Sequence, residues 1–355
     1  MDFLKSLLLS LINNLLHRHR KRPDALEFSI LAKLPLELLV LIAEFLPLAS
    51  AVTFSLSCRP LYSLIGTKYL KRAKQDTKSF DPYALLALLQ RDLPDLLACH
   101  YCKKLHAIKH ASRFLDSSKY YKGWIRRPKP ICVHANYRRT LYIHPDFSST
   151  IFRMAMKRHR QGADCSSLLN LLSCEWRIFY HAKHIGKVNT ECRIVQNSLL
   201  VRNQSVFPVQ PRQSVEFLFE SGFLICSHYN WRRYGPCAPT SQLELRHREK
   251  SFKAWGQLMQ CNYCATEFRI DVQRFKNLGR LVFFTKWQNL GSGERLLDTQ
   301  WRSHLSTSQG PMWRNVFLRS GSIVSAFENK QKFDFGSLMA PEDKMELFSL
   351  PLQSP

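Results

Sequence analysis

Residues Leu34 to Tyr62 read LPLELLVLIAEFLPLASAVTFSLSCRPLY, a helical stretch with more apolar surface than it can hide within itself. Leu34-Pro35 predicts an extended lead-in, because the residue before proline is pushed out of helical dihedrals and proline suits a first turn. Between Leu36 and Leu46 the only charged residues are Glu37 and Glu44. Seven apart, they share one stripe of the helix surface. Leu38, Leu39, Leu41, Ile42, Phe45 and Leu46 cover nearly all the rest. A helix packed on one side needs an apolar stripe of roughly 100°, and this one is apolar over more than half its circumference. A second apolar helix is predicted from about Leu48 to Ser57, with Ala49, Ala51, Val52, Phe54 and Leu56. Part of this surface must face a partner protein or another domain.

The 355 residues suffice for two folded units, one small and one large. Hydrophobic residues make up 45% and aromatic residues 12%, enough for real cores. The 52 lysines and arginines against 27 acids leave a net charge of +25. That field attracts acidic proteins, nucleic acid or anionic membrane. Local basic runs lie at His17 to Arg22, Arg126 to Lys129, Lys157 to Arg160 and Arg246 to Lys250.

Near the N-terminus, Phe3, Leu4, Leu7, Leu8, Leu11, Ile12 and Leu15 recur at helical spacing. The stretch is shorter than the roughly 20 apolar residues a bilayer span takes, so no transmembrane segment is expected there. It lacks the basic lead and small-residue cleavage site of a signal peptide. An interfacial amphipathic helix fits it, as does a helix packed on the rest of the protein or a frayed one. An odd count of 11 cysteines with no secretion signal argues against a disulfide scaffold. It favours thiols or metal ligands in a reducing compartment, the cytoplasm or nucleus.

Two cysteine pairs are CxxC, Cys99/Cys102 and Cys261/Cys264, and two further stretches are CxH, Cys132/His134 and Cys226/His228. Their flanks match as well. Residues 131–139 read ICVHANYRR and residues 225–233 read ICSHYNWRR; residues 99–108 read CHYCKKLHAI and residues 261–270 read CNYCATEFRI. A CxxC places two thiolates on one tight turn. A CxH on a strand offers a thiolate and an imidazole from one side. Together they make Cys₃His, a closed tetrahedral set suited to structural zinc. Sequential pairing gives Cys99, Cys102, Cys132 and His134 as one site and Cys226, His228, Cys261 and Cys264 as the other, closing the shorter loops. Crossed pairing fits the same residues, and His106 or His110 can stand in for His134. A filled shell leaves no place for water, so two structural zinc ions are expected and no catalytic one. No P-loop, nucleotide-binding glycine fingerprint or nucleophile elbow is present.

Elsewhere, Lys68 to Lys78 reads as a polar connector, and Asp81-Pro82 as an N-cap and first turn for a short helix over Tyr83 to Gln90. Phe147 to His159 predicts an amphipathic helix stopped near Gly162. Glu175 to His181, a hairpin over Cys192 to Gln204 turning at Gln196-Asn197, Phe217 to Ser227, Phe268 to Val272 and Leu281 to Trp287 read as strands. Gly291-Ser292-Gly293 reads as a loop.

Leu34-Pro35, Glu37, Leu38-Leu39, Ile42, the Leu46-Pro47 break, Phe54 and Cys58-Arg59 before Leu61 resemble the F-box, though without its usual tryptophan in the third helix. That helical module docks a protein onto the Skp-type adaptor of cullin–RING ubiquitin ligases. The wider pattern of Trp287, Leu290-Gly291, Gly293, Asp298, Trp301 and His304, with the Cys/His stretches, resembles uncharacterised filamentous-fungal F-box proteins. The resemblance implies an SCF-type substrate-recognition adaptor without catalytic residues, bound to a Skp-type adaptor and its cullin complex. Leu34, Pro35, Leu38, Leu39, Ile42, Phe45 and Leu46 would form the contact surface, and the C-terminal domain would take a substrate protein.

The expected fold class is α+β. An N-terminal segment over residues 1–26 leads to a helical F-box-like module over 27–75, then a mixed, mainly β, Cys/His-rich domain over 76–329 and a loose tail over 330–355. The alternative function is a zinc-stabilised nucleic-acid binder. Tyr120 to Arg127, Tyr137 to Arg139 and Tyr229 to Tyr234 interleave aromatic and basic residues, as base stacking with phosphate neutralisation requires.

Overall fold

Proline decides where the first helices begin and end. In the computed structural model α1 (Leu36–Phe45) starts after Pro35 and stops at Leu46, whose extended dihedrals precede Pro47. α2 (Leu48–Ser55) follows at once, with Pro47 at its cap. The structure describes residues 26, 29–76, 80–115, 129–137, 140, 142–144, 146–181, 184–209, 225–228, 256–275, 279–294, 298–305, 316 and 318–329. The chain divides into two compact units, Met1–Lys109 and His110–Pro355. The first unit thus takes in the first CxxC as well as the helical module. Most of the 1–26 segment lies outside the described residues. So do the 330–355 tail, residues 217–224, and the stretches Tyr120 to Arg127, Tyr229 to Tyr234 and Arg246 to Lys250.

In the first unit α3 (Arg59–Leu61) runs through a π turn, Tyr62–Gly66, into α4 (Thr67–Gln75), all in helical dihedrals. At Gly66 a Cβ would lie 2.7 Å from the Tyr62 ring, so the close approach of ring and backbone needs glycine there. α4 corrects the expected connector over Lys68 to Lys78. Its fully buried residues are only Tyr69 and Ala73, four apart, with half-buried Leu70 beside them, too short a stripe to stand out among exposed Lys68, Lys71, Arg72 and Lys74. α5 (Pro82–Asp92) starts as expected: the Asp81 carboxylate accepts from Tyr83 N at 3.0 Å. Its Leu85 and Leu89 share a core with Ala43, Ala51, Val52, Ile65, Tyr69 and Phe80. This core joins α5 to the F-box-like helices. β1 (Leu96–Cys99) and β2 (Lys104–Ala107) form an antiparallel hairpin with Cys99 opposite Lys104.

The second unit starts with α6 (Ile131–Tyr137), α7 (Ser149–Arg160) and α8 (Ser166–Leu172). A six-stranded antiparallel sheet follows: β3 (Cys174–His181), β4 (His184–Val195), β5 (Ser198–Val209), β6 (Leu258–Gln260), β7 (Thr266–Phe275) and β8 (Gly279–Asn289). The strand order is β3-β4-β5-β8-β7-β6. The β4–β5 turn is Gln196-Asn197, with φ of 47° and 60°, the doubly left-handed pair of a two-residue hairpin. α9 (Thr299–Ser303) is capped by Asp298, and α10 (Ser322–Glu328) docks on the sheet. Buried Glu267 of β7 accepts from Gly321 N at 2.7 Å and Val324 N at 2.9 Å, placing a carboxylate at the positive end of α10. At the other end Arg202 pairs with Glu328 at 3.1 Å, and Trp287 Nε1 donates to Glu328 at 2.8 Å.

Among the described residues no helix is long and apolar enough to cross a membrane.

Candidate functional site

Helix α1 has an inner and an outer apolar face. Leu39 and Ala43, four apart, are buried. Leu38, Leu41, Ile42 and Phe45, spaced by three and four, are exposed, Phe45 at 82%. With half-buried Leu34 and Leu46 they line an open groove of about 390 Å³. Pro35 is exposed beside them in the chain. Leu39 corrects the expected docking surface. It is 1% exposed and packs with Cys58 and Leu61, because one helical residue turns it about 100° from Leu38. Leu41, missing from the expected surface, belongs to the groove. Covering such side chains is worth about 1.5–3 kcal/mol each.

The second site is built inside the C-terminal unit. Cys261 and Cys264 sit on the turn between β6 and β7. Cys261 N donates to Thr266 O at 2.9 Å and Thr266 N to Cys264 O at 2.8 Å, folding the CxxC into a knuckle. Cys226 and His228 come from an irregular segment, residues 225–228, where a strand was expected. The four side chains are buried, and their ligand atoms lie within 4.8 Å of one another. A tetrahedral zinc with bonds of about 2.3 Å sets sulfurs about 3.8 Å apart, a spacing this spread accommodates. The group can hold a metal ion.

Hydrogen bonds converge on the sulfurs. Tyr263 N donates to Cys261 Sγ at 3.4 Å, and Thr266 Oγ1 lies 3.2 Å from Cys264 Sγ. The Tyr263 ring sits 5.6 Å from the His228 ring. Hydrogen bonds, first from Cys226 and then from Cys264, hold the Cys261 thiol far below its ordinary range. Burial pushes the Cys226 and Cys264 thiols up. Three buried thiols therefore cannot all ionise by themselves; an ion makes three thiolates compatible.

Around this core, burial pulls the Lys286 ammonium down to about 7, and its Nζ donates to Tyr142 O at 2.6 Å. Burial also pulls His304 down to about 4. A neutral ring serves both its contacts: Nε2 donates to Asn289 O at 2.9 Å while Nδ1 accepts from Gln288 Nε2 at 3.4 Å. The Trp287 to His304 pattern is thus architectural. Asp298 caps α9, Trp301 packs on Phe147 and Phe152, and Gly293, at φ +62°, lies against the Phe152 ring.

The first knuckle lies in the N-terminal unit. Cys99 ends β1, Cys102 is on the turn, His106 is on β2, and their ligand atoms lie within 4.8 Å of one another. Cys102 N donates to Cys99 Sγ at 3.4 Å. His106 therefore takes the place expected of His134. Residues 131–137 form α6 instead of a strand, and residues two apart on a helix point about 200° apart. Cys132 is buried and His134 exposed.

The basic run on α7 passes from buried Lys157 to exposed Arg160. Lys157 is buried, His159 meets Asn197 at 3.1 Å, and Arg160 donates to Ser292 O at 2.8 Å.

No curated protein and no solved structure matches the chain. Residues 31–73 match the F-box domain family. That range contains α1, α2, α3 and most of α4, and with them all six residues that line the groove. The helices that carry the groove are an F-box domain.

Proposed function

We propose that this chain is the substrate-recognition adaptor of an SCF-type ubiquitin ligase, working in the cytoplasm or nucleus. The F-box binds a Skp-type adaptor and through it the cullin complex, while the C-terminal unit presents its surface to a substrate protein. Other subunits transfer ubiquitin, so this chain contributes docking and no catalytic group. The observation that carries the reading is the groove of Leu34, Leu38, Leu41, Ile42, Phe45 and Leu46 on an F-box: large apolar side chains left outside, at the spacing of one helix face. The test is capture by a purified Skp-type adaptor. Phe45→Asp and Ile42→Asp should each cut capture at least about 100-fold, through the loss of one buried apolar side chain and the burial of a charge. Undiminished capture by both variants would overturn the reading.

The Cys/His groups are read as two structural zinc sites. One is Cys226, His228, Cys261 and Cys264. The other is built on Cys99, Cys102 and His106 of the N-terminal unit. Soft thiolates with one imidazole suit zinc over harder cations, and four protein donors leave no open position. Two zinc per purified chain is the expected content; none would remove this part of the reading.

A further inference from the structure

Thr266 follows the second knuckle by two residues and is completely buried. Its backbone is fixed three ways: its carbonyl accepts from Cys261 N, its N–H donates to Cys264 O, and its Cα pairs with Gln288 across β7 and β8. That framework aims the hydroxyl at Cys264 Sγ, 3.2 Å away. A thiolate has no proton to give, so with a metal bound the hydroxyl must be the donor. Without metal the same pair is satisfied by S–H donating to oxygen. The matching position two residues after the first CxxC is Lys104, which lies opposite Cys99, is exposed and carries no hydroxyl.

We propose that Thr266 is a positioning residue for a metal site at Cys226, His228, Cys261 and Cys264. Its hydroxyl donates to the Cys264 thiolate, fixes the rotamer of that ligand and draws charge from its sulfur. The inference rests on the zinc reading of that group. Groups that orient metal ligands are worth about 10–100-fold in metal affinity, and a hydrogen bond to an ionised sulfur is of the stronger kind.

The test uses the full chain as wild type, Thr266→Val and Thr266→Ser. Valine keeps the volume and removes the donor; serine keeps the donor. Zinc affinity is read by chelator competition, and the same proteins loaded with cobalt(II) report the sulfur-to-cobalt charge-transfer band. Expected are two zinc per wild-type chain and a 10–100-fold weaker second site in Thr266→Val. Its charge-transfer band should move to lower energy, because the sulfur lone pairs are no longer held down. Thr266→Ser should lie near wild type in both. Wild type and Thr266→Val alike in affinity and band would overturn the role of Thr266 while leaving the zinc reading standing. Equal losses in Thr266→Val and Thr266→Ser would reduce Thr266 to packing and also overturn it. A wild-type chain without zinc would bring down the zinc reading, and this inference with it.

Discussion

The two units break the rule of apolar inside and polar outside in opposite directions. In the N-terminal unit Leu38, Leu41, Ile42 and Phe45 stay outside, on a helix whose other face already fills the core through Leu39 and Ala43. In the C-terminal unit Cys226, His228, Cys261 and Cys264 are inside, with Lys286 and His304 buried in the same unit. Each departure costs stability when left alone. Exposed leucines gain nothing from folding, and buried thiols and cations lose their hydration. Each therefore points to something that compensates: a partner polypeptide for the first, a metal ion for the second.

The sharpest way to break this contrast is at the buried site. Cys261→Ser should lower zinc content by one per chain and cost the C-terminal unit several kcal/mol, approaching the ~10 kcal/mol scale of structural zinc. Metal analysis with denaturant unfolding reads both; unchanged zinc and stability would end the idea that an ion compensates the buried thiols.

The two faces of α1 come next. Leu39→Ala should destabilise the N-terminal unit by about 2–5 kcal/mol. Phe45→Ala, at an exposed position, should shift stability by no more than about 0.5 kcal/mol. Comparable losses by urea unfolding would mean that the helix does not have one inner and one outer face.

A third effect follows from His304. Its folded value is about 4, below the ordinary value of about 6.5. Below pH 6.5 the unfolded chain takes up a proton that the folded chain refuses. Stability therefore falls as pH drops from about 6.5 to about 4, by about 3 kcal/mol in all. His304→Gln should flatten that part of the pH profile relative to wild type. Identical slopes would mean the ring is not buried neutral.

The smallest effect separates the two candidate histidines of the first knuckle. His106→Ala should lower metal content, whereas His134→Ala, on the exposed side of α6, should leave metal content and stability unchanged. The reverse result would restore the strand reading of residues 131–139.

What could be read beforehand depended on local chemistry. Asp81-Pro82 announced α5 because a carboxylate cap and a proline act within one turn. Gln196-Asn197 announced the β4–β5 hairpin because few residues tolerate two consecutive left-handed positions. The apolar excess of α1 was legible as a whole. The turning of Leu39 inward was not, since an almost wholly apolar helix does not say which side its neighbours occupy. α4 was hidden because only Tyr69, Leu70 and Ala73 mark its inner face among basic residues. The matched ICVHANYRR and ICSHYNWRR stretches misled about geometry: one contains a helix, and the described part of the other is irregular. Similar residues were set in different backbones by tertiary packing.

The docking claim is tested most directly by amide hydrogen exchange on the full chain, with and without a saturating Skp-type adaptor. Slowed exchange concentrated over residues 34–46 is the expected result. Adaptor binding that leaves those amides unchanged and protects another segment, or no binding at all, would contradict it.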